Sequence, residues 1–139
     1  MKIDGPMLVG NPAEAGPAAQ ALERAGYDGG FTFEGRHDPF FPLAVAATQT
    51  ERLELITAIA IAFARNPMTL ANIGWDLQLL SGCRFILGLG TQIRPHIQKR
   101  FSMEWSRPAA RMKEMVEAIR AIWDCWKNGT PLAFEGEFY

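Results

Sequence analysis

The chain has little cysteine, little histidine, no excess of either charge and no long apolar run, and each absence narrows what it can be. Cys83 and Cys125 are the only cysteines among 139 residues. Their spacing fits no metal or redox motif, and a disulfide framework is unusual in an α/β chain of this size. Two buried or half-buried free thiols are therefore expected, with no metal site. The formal net charge is -1, acidic and basic residues are interspersed, and Lys99-Arg100 is too short a basic pair to form a nucleic-acid groove. No apolar stretch reaches membrane-spanning length, and the opening Met-Lys-Ile-Asp-Gly-Pro lacks the apolar core of a signal peptide. The expectation is a cytoplasmic protein with no nucleic-acid or membrane partner.

What is present is a repeated grammar of short apolar strand, loop and helix. Its clearest instance is Arg84-Phe-Ile-Leu-Gly-Leu-Gly-Thr91. Phe85 to Leu89 is too short and too β-prone for a helix, and Gly82, Gly88 and Gly90 bracket it with turn and close-approach signals. It reads as a buried strand that delivers a backbone-rich loop to a ligand, although the glycines could serve backbone packing alone. They do not form a dinucleotide fingerprint, because the third glycine is missing and no helix starts directly afterwards.

Three earlier segments follow the same pattern. Lys2 to Val9 is a first strand, interrupted at Gly5-Pro6. Asn11 and Pro12 suit a helix start, with the regular part expected from Pro17, an apolar face of Ala18, Ala21, Leu22 and Ala25, and Gly26 as the stop. Tyr27 to Phe33 is a second strand, with Phe31 and Phe33 on one side. A helix with Leu43, Ala46, Ala47 and Thr50 on one stripe follows from Pro42. Leu55 to Ile59 is a third strand and Ala60 to Arg65 an ordered loop. Asn66 then caps a helix started by Pro67, with Leu70, Ile73, Gly74, Leu77 and Leu80 on its buried line.

After the fourth strand, Thr91 to Trp105 reads as a long connection, and long connections in compact α/β proteins are disproportionately functional. Ser106 is a cap for a helix over Arg107 to Lys127, whose stripe of Met112, Met115, Val116, Ile119, Ile122, Trp123 and Trp126 is most simply core. Asn128-Gly129 closes it. Pro131 to Tyr139 looks like the start of a hairpin or capping strand. Repeated βα units predict a parallel sheet.

The ionisable cluster Glu34-Gly-Arg-His-Asp38 falls where the second strand ends. It admits two readings: an ion-paired loop in which Asp38 caps the following helix, or a reacting site in which His37 exchanges a proton near neutral pH. Arg94, Lys99 and Arg100 read as a solvated charge run, with an anionic tail as the alternative.

Taken in order, Glu34 to His37-Asp-Pro-Phe-Phe-Pro-Leu, Ala62-Phe-Ala-Arg-Asn-Pro67, Trp75-Asp-Leu-Gln78, Phe85-Ile-Leu-Gly-Leu-Gly-Thr-Gln92, Arg111-Met and Phe134-Glu-Gly-Glu-Phe-Tyr139 resemble the N-terminal half of the luciferase-like flavin and deazaflavin oxidoreductases. The likeness is closest to the coenzyme F420-dependent branch. It implies an α/β fold, a partial TIM (β/α)8 barrel made of its first four βα units with parallel strands, and it makes residues 1–139 the N-terminal half of a luciferase-like barrel domain. A half-barrel would expose sheet edges and so favour self-association.

The same resemblance implies F420 as cofactor, with FMN as the alternative, a small-molecule substrate, and a homodimer in the full-length protein. His37 and Asp38 match the positions after strand two that sit over the ring, His37 as the catalytic residue. Ala58 and Ile59 match the end of strand three, where relatives often carry a non-prolyl cis peptide behind the ring. Thr91 matches the threonine after the Gly-x-Gly strand end, and His96 a position that contacts the ring or its ribityl chain. Gln92 and Ile93 stand where relatives often have glycine and an acidic residue, so no catalytic acid is carried over there. The implied activity is F420-dependent hydride transfer. The alternatives are an FMN-dependent monooxygenase and a non-catalytic half-barrel acting as a binding or dimerisation module.

Overall fold

Strands and helices alternate along the chain as β1 (Asp4–Pro6), α1 (Ala15–Arg24), β2 (Gly29–Thr32), α2 (Phe40–Ala47), β3 (Glu54–Thr57), β4 (Ala60–Ile61), α3 (Pro67–Leu80), β5 (Phe85–Ile86), β6 (Leu89–Gly90), α4 (Arg94–Arg100) and α5 (Pro108–Asn128). The structure is a computed structural model describing Met1–Tyr139. It falls into two compact units, one formed by Met1–Ala60 with Asp76–Leu89 and the other by Ile61–Trp75 with Gly90–Tyr139.

The first unit is built on a four-stranded sheet in the order β1-β2-β3-β5. Every neighbouring pair is parallel, with Gly30 opposite both Gly5 and Leu55, Thr32 opposite Thr57, and Leu55 opposite Phe85. The predicted parallel βα sheet is therefore present. Leu43, Leu53 and Leu55 are fully shielded in its core. Helix α1 packs beside α2, and the Gln20 side-chain amide donates to the Gln49 carbonyl at 3.0 Å.

Helix α1 starts earlier than Pro17, at Ala15, after a 3-10 turn over Pro12–Glu14 whose Asn11 side chain accepts from the Ala13 N–H. Its buried residues are Ala15, Gly16 and Ala19; of the expected Ala18, Ala21, Leu22 and Ala25, Leu22 lies over Gly5 and Gly30 of the sheet, Ala18 is half-buried, and Ala21 and Ala25 are exposed. Ala15, Ala19 and Leu22, spaced by four and three, share the face turned to the sheet. Gly26 ends the helix with a left-handed φ of +85°, as read from the sequence. In α3 the buried line runs through Leu70, Gly74 and Leu77 to Ser81, while Leu80 is 47% exposed. Four residues after Leu77 comes Ser81, so the polar residue, not Leu80, continues the line.

Two glutamates borne on helices tie loops to their units in the same manner. In the first unit the Glu23 carboxylate accepts the backbone N–H groups of Glu51, Arg52 and Leu53 at 3.1, 2.6 and 2.9 Å. Partial desolvation pushes this carboxyl up, but the three donors outweigh it and hold the group below its ordinary value of 4.5. A depressed carboxylate stabilises the fold fully above its unfolded pKa, and that contribution disappears as pH falls through the folded value. Glu23→Gln should therefore lower stability at pH 7, and the gap from the parent should shrink as pH falls below 4.5, as urea titrations across that range would show. A gap that stays constant with pH would assign the loss to packing.

The second unit packs α5 against the first half of α3. Trp123 donates its ring N–H to the Ala71 carbonyl at 3.0 Å, and Trp75 and Trp126 meet edge to face with centroids 5.5 Å apart. Of the expected stripe of α5, Met115, Ile119 and Ile122 are buried, while Met112, Val116, Trp123 and Trp126 are half-buried. Its cap is Arg107 in a left-handed conformation at φ 32°, not Ser106. The expected hairpin or capping strand over Pro131–Tyr139 does not form. Its N–H groups go instead to a side chain: Glu114 accepts from Glu137, Phe138 and Tyr139 at 2.9, 2.6 and 2.6 Å. The connection after β6 also contains α4, whose one buried residue is Ile97.

Candidate functional site

The expected fourth strand is broken. Residues 85–86 and 89–90 are separate strands, with Leu87 and Gly88 between them. At Gly88 the chain turns to the Thr57 hydroxyl, which accepts the Gly88 N–H at 2.9 Å and donates to the Gly88 carbonyl at 2.8 Å. The same carbonyl accepts the Ala60 N–H at 2.9 Å. A β-carbon added to Gly88 would lie 2.0 Å from the Thr57 carbonyl oxygen, so the approach admits only glycine. This close approach ends the ladder between β3 and β5.

The Ala58–Ile59 peptide is cis, the geometry implied for this position. The segment around it is held from both sides. The Ala58 N–H donates to the Thr32 carbonyl at 2.7 Å, and the Glu34 N–H donates to the Ile59 carbonyl at 3.2 Å. The end of β3 is thereby fixed against the loop that follows β2.

That loop carries His37 and Asp38. With the segment after β1 it lines a cavity of about 350 Å³, whose walls are Met7 to Gly10, Thr32, Phe33, Gly35 to Pro39 and Pro42. Both segments sit at the C-terminal ends of parallel strands, where ligand sites of parallel α/β folds gather. Phe33 lies one residue beyond β2, so it stands at the cavity at 53% exposure and is not part of a strand face with Phe31. The buried Thr32 hydroxyl donates to the Pro39 carbonyl at 2.8 Å and pins the loop at its base. Asp38 accepts the Phe40 N–H at 2.8 Å, so its side chain serves the start of α2, although the N-cap position itself is Pro39, one residue later. His37 and Arg36, both exposed on the cavity, have no hydrogen-bond or ion-pair partner.

Thr91 and His96 belong to the second unit. The Thr91 hydroxyl donates to the Gln92 carbonyl at 3.0 Å. His96 Nδ1 lies 3.0 Å from the Gln92 side-chain oxygen, an acceptor that calls for a proton on Nδ1. Gln92 adopts a left-handed φ of 58°, which is why glycine suits this position. Cys83, expected inside, is exposed. It occupies the turn after α3 at φ 66°, with its N–H on the Gln78 carbonyl.

The segment Met7–Gly10 as a wall of the cavity was not legible beforehand. The interruption expected at Gly5-Pro6 gave no signal for it, since both residues belong to β1 and stand opposite Gly30 and Phe31, and the first strand covers only Asp4–Pro6 of the expected Lys2 to Val9.

The parallel βα arrangement is shared with proteins of known structure. The chain belongs to the luciferase-like monooxygenase family, whose sequence pattern matches residues 3–139. An uncharacterized protein of Mycobacterium tuberculosis (strain ATCC 25618 / H37Rv) is 63% identical to it over all 139 residues, which make up 41% of that protein. A proposed coenzyme F420-dependent oxidoreductase of the same organism is 33% identical over 86% of this chain and 34% of its own length. The oxygenating constituent of 3,6-diketocamphane monooxygenase from Pseudomonas putida, solved with FMN, superposes with a TM-score of 0.82 over 100% of this chain and 43% of its own, at 18% identity. That likeness shows the fold: the four parallel βα units are part of a (β/α)8 barrel. The chain spans less than half the length of these relatives.

Proposed function

We propose that the chain is part of an F420-dependent oxidoreductase that moves a hydride between the deazaflavin and a small organic alcohol or carbonyl compound. His37 exchanges the proton on the substrate oxygen. The observation that carries this reading is His37 itself, an imidazole without a protein partner on the wall of a cavity at the strand ends. The name of the 33% identical relative supports the choice of F420. The cavity suits the substrate side of such a site: Met7, Val9, Pro39 and Pro42 give apolar wall, and Arg36 to Asp38 give a polar strip. A bound deazaflavin supplies the hydride acceptor and donor.

The chain's own residues have simpler tasks. As hydrogen leaves the alcohol carbon with the electron pair of the C–H bond, the imidazole of His37 takes the hydroxyl proton and the carbonyl forms, and in reduction His37 returns that proton to the carbonyl oxygen. Asp38 fixes the loop by accepting the Phe40 N–H at the start of α2. Ala58, Ile59, Thr91 and His96 are assigned to holding the cofactor. The protein is placed in the cytoplasm and acts as a homodimer.

Fluorescence titration of the chain should show saturable F420 binding and no saturable binding of reduced FMN. The reverse result assigns it to the FMN-dependent monooxygenases, and binding of neither leaves a non-catalytic module. In single-turnover measurements on the F420-bound protein, His37→Asn should slow hydride transfer by about 10²- to 10⁴-fold, the usual worth of a positioned acid or base. F420 affinity should change little. An unchanged rate would remove His37 from the chemistry.

A further inference from the structure

We propose that the cavity at the ends of β1 and β2 takes a substrate with an apolar body and a carboxylate group, and that Arg36 selects for that group. This rests on reading the same cavity as the substrate side of the oxidoreductase site and adds a substrate class to it.

The first observation is the combination of walls. Met7, Leu8, Val9, Phe33, Pro39 and Pro42 make most of the lining apolar. Leu8 and Phe33 are 72% and 53% exposed, so two large apolar side chains stand at the cavity with much of their surface in water. Burial of that surface by a ligand is favourable, and it requires a ligand with an apolar body.

The second observation is Arg36. It lies beside His37 on the same wall, between two acidic residues in the sequence, and it pairs with neither. Asp38 is directed to the Phe40 N–H at the start of α2, where the helix terminus favours a negative charge. Glu34 has other interactions, none with Arg36. A guanidinium carries five donors in a planar fork that matches a carboxylate, and here the fork is left for a ligand. Asp38 places a negative charge on the same wall, so the selection comes from short-range bidentate bonding and not from net charge.

The third observation is adjacency. Arg36 and His37 are consecutive and both without partners. A substrate held through its carboxylate at Arg36 would bring a nearby oxygen-bearing carbon to His37, as in a hydroxy or oxo acid with an apolar tail.

The test uses two probes matched in their body, 4-phenylbutyrate and 4-phenylbutan-1-ol, titrated into the full chain and followed by amide and side-chain NMR shifts. The carboxylate should bind roughly 10-fold more tightly than the alcohol, consistent with a charge-assisted bidentate contact, with shifts centred on Leu8, Phe33, Arg36 and His37. Arg36→Gln should erase that preference and leave the affinity for the alcohol unchanged. Arg36 is exposed and unpartnered, so the variant should fold like the parent, which circular dichroism would check. Equal affinities in the parent, a preference that survives Arg36→Gln, or shifts confined to another surface would each overturn the proposal. F420 titration of the same two proteins separates the questions: loss of F420 binding with the carboxylate preference intact counts against the oxidoreductase reading alone.

Discussion

Gly88→Ala should destabilise the first unit by about 3 kcal/mol or more, the upper range for overpacking. The added methyl would stand 2.0 Å from the Thr57 carbonyl oxygen, well inside contact distance, and the obstacle is backbone. Relief would require β3 or the Gly88 turn to move. Movement would break the two bonds to the Thr57 hydroxyl and the Ala60 N–H bond that meet at Gly88. The position therefore links stability to the site, since Ala60 immediately follows the segment that docks on the His37 loop. Urea titration followed by circular dichroism would measure the loss, and an alanine variant as stable as its parent would show that this approach is not obligatory. Thr57→Val tests the other partner. It keeps the volume but removes the hydroxyl, and should cost about 1 to 3 kcal/mol, chiefly through the Gly88 N–H left unpaired, since the Gly88 carbonyl keeps the Ala60 N–H.

Arg84→Met should cost about 3 to 4 kcal/mol, because it leaves several carbonyls without a donor at once. The Arg84 Nε donates to the Ser81 carbonyl at 2.7 Å, and its two terminal nitrogens reach the carbonyls of Leu53, Thr50 and Ala47 at 2.7, 2.9 and 3.2 Å and the Thr50 hydroxyl at 3.0 Å. These acceptors lie at the end of α2, in the loop into β3 and in the turn after α3. One planar fork therefore ties three connections at the N-terminal ends of β3 and β5. Arg84→Lys should recover only a minor part, since an ammonium cannot span acceptors that a five-donor fork reaches together. Equal stability of the lysine variant would show that charge, not fork geometry, matters there. Ligand binding should survive in molecules that remain folded, because Arg84 stands at the opposite end of the strands from His37.

Arg84 also shows where sequence reading stops. It opened the stretch that most clearly announced a strand, yet nothing in its neighbours told that its side chain would gather carbonyls from residues 47 to 53. Such acceptors are set by tertiary placement and leave no trace in periodicity. What could be read was what local chemistry dictates: proline and asparagine at helix starts, Gly26 at a stop, apolar β-branched runs as strands. The alternation of those elements then made the sheet parallel.

The misses have physical causes as well. Helix α4 was hidden because Arg94–Arg100 offers only Ile97 to the interior, so no apolar stripe existed to detect. The α1 face was only partly legible because the helix is rich in alanine, so the apolar residues Ala18, Ala21 and Ala25 carry little weight in fixing the buried side. The final residues alternate like a strand, but Glu114 satisfies their N–H groups first. At the cavity, His37 was singled out through the family resemblance, because its charged neighbours alone left an ion-paired loop as an equal reading. The wall contributed by Met7 to Gly10 was not, since its role depends on β1 lying beside β2.

The two glutamate clamps have a consequence for how the chain tolerates change. Each carboxylate reads main-chain N–H groups, not side chains, across residues 51–53 and 137–139. The side chains at those six positions are therefore free to be exchanged as far as the clamp is concerned, with proline alone excluded because it brings no N–H. The constraint is stored one helix away, at Glu23 and Glu114, so exposed clamp positions such as Glu51 and Arg52 can drift in sequence while the path of the loop stays fixed, whereas Leu53 is held by the core as well.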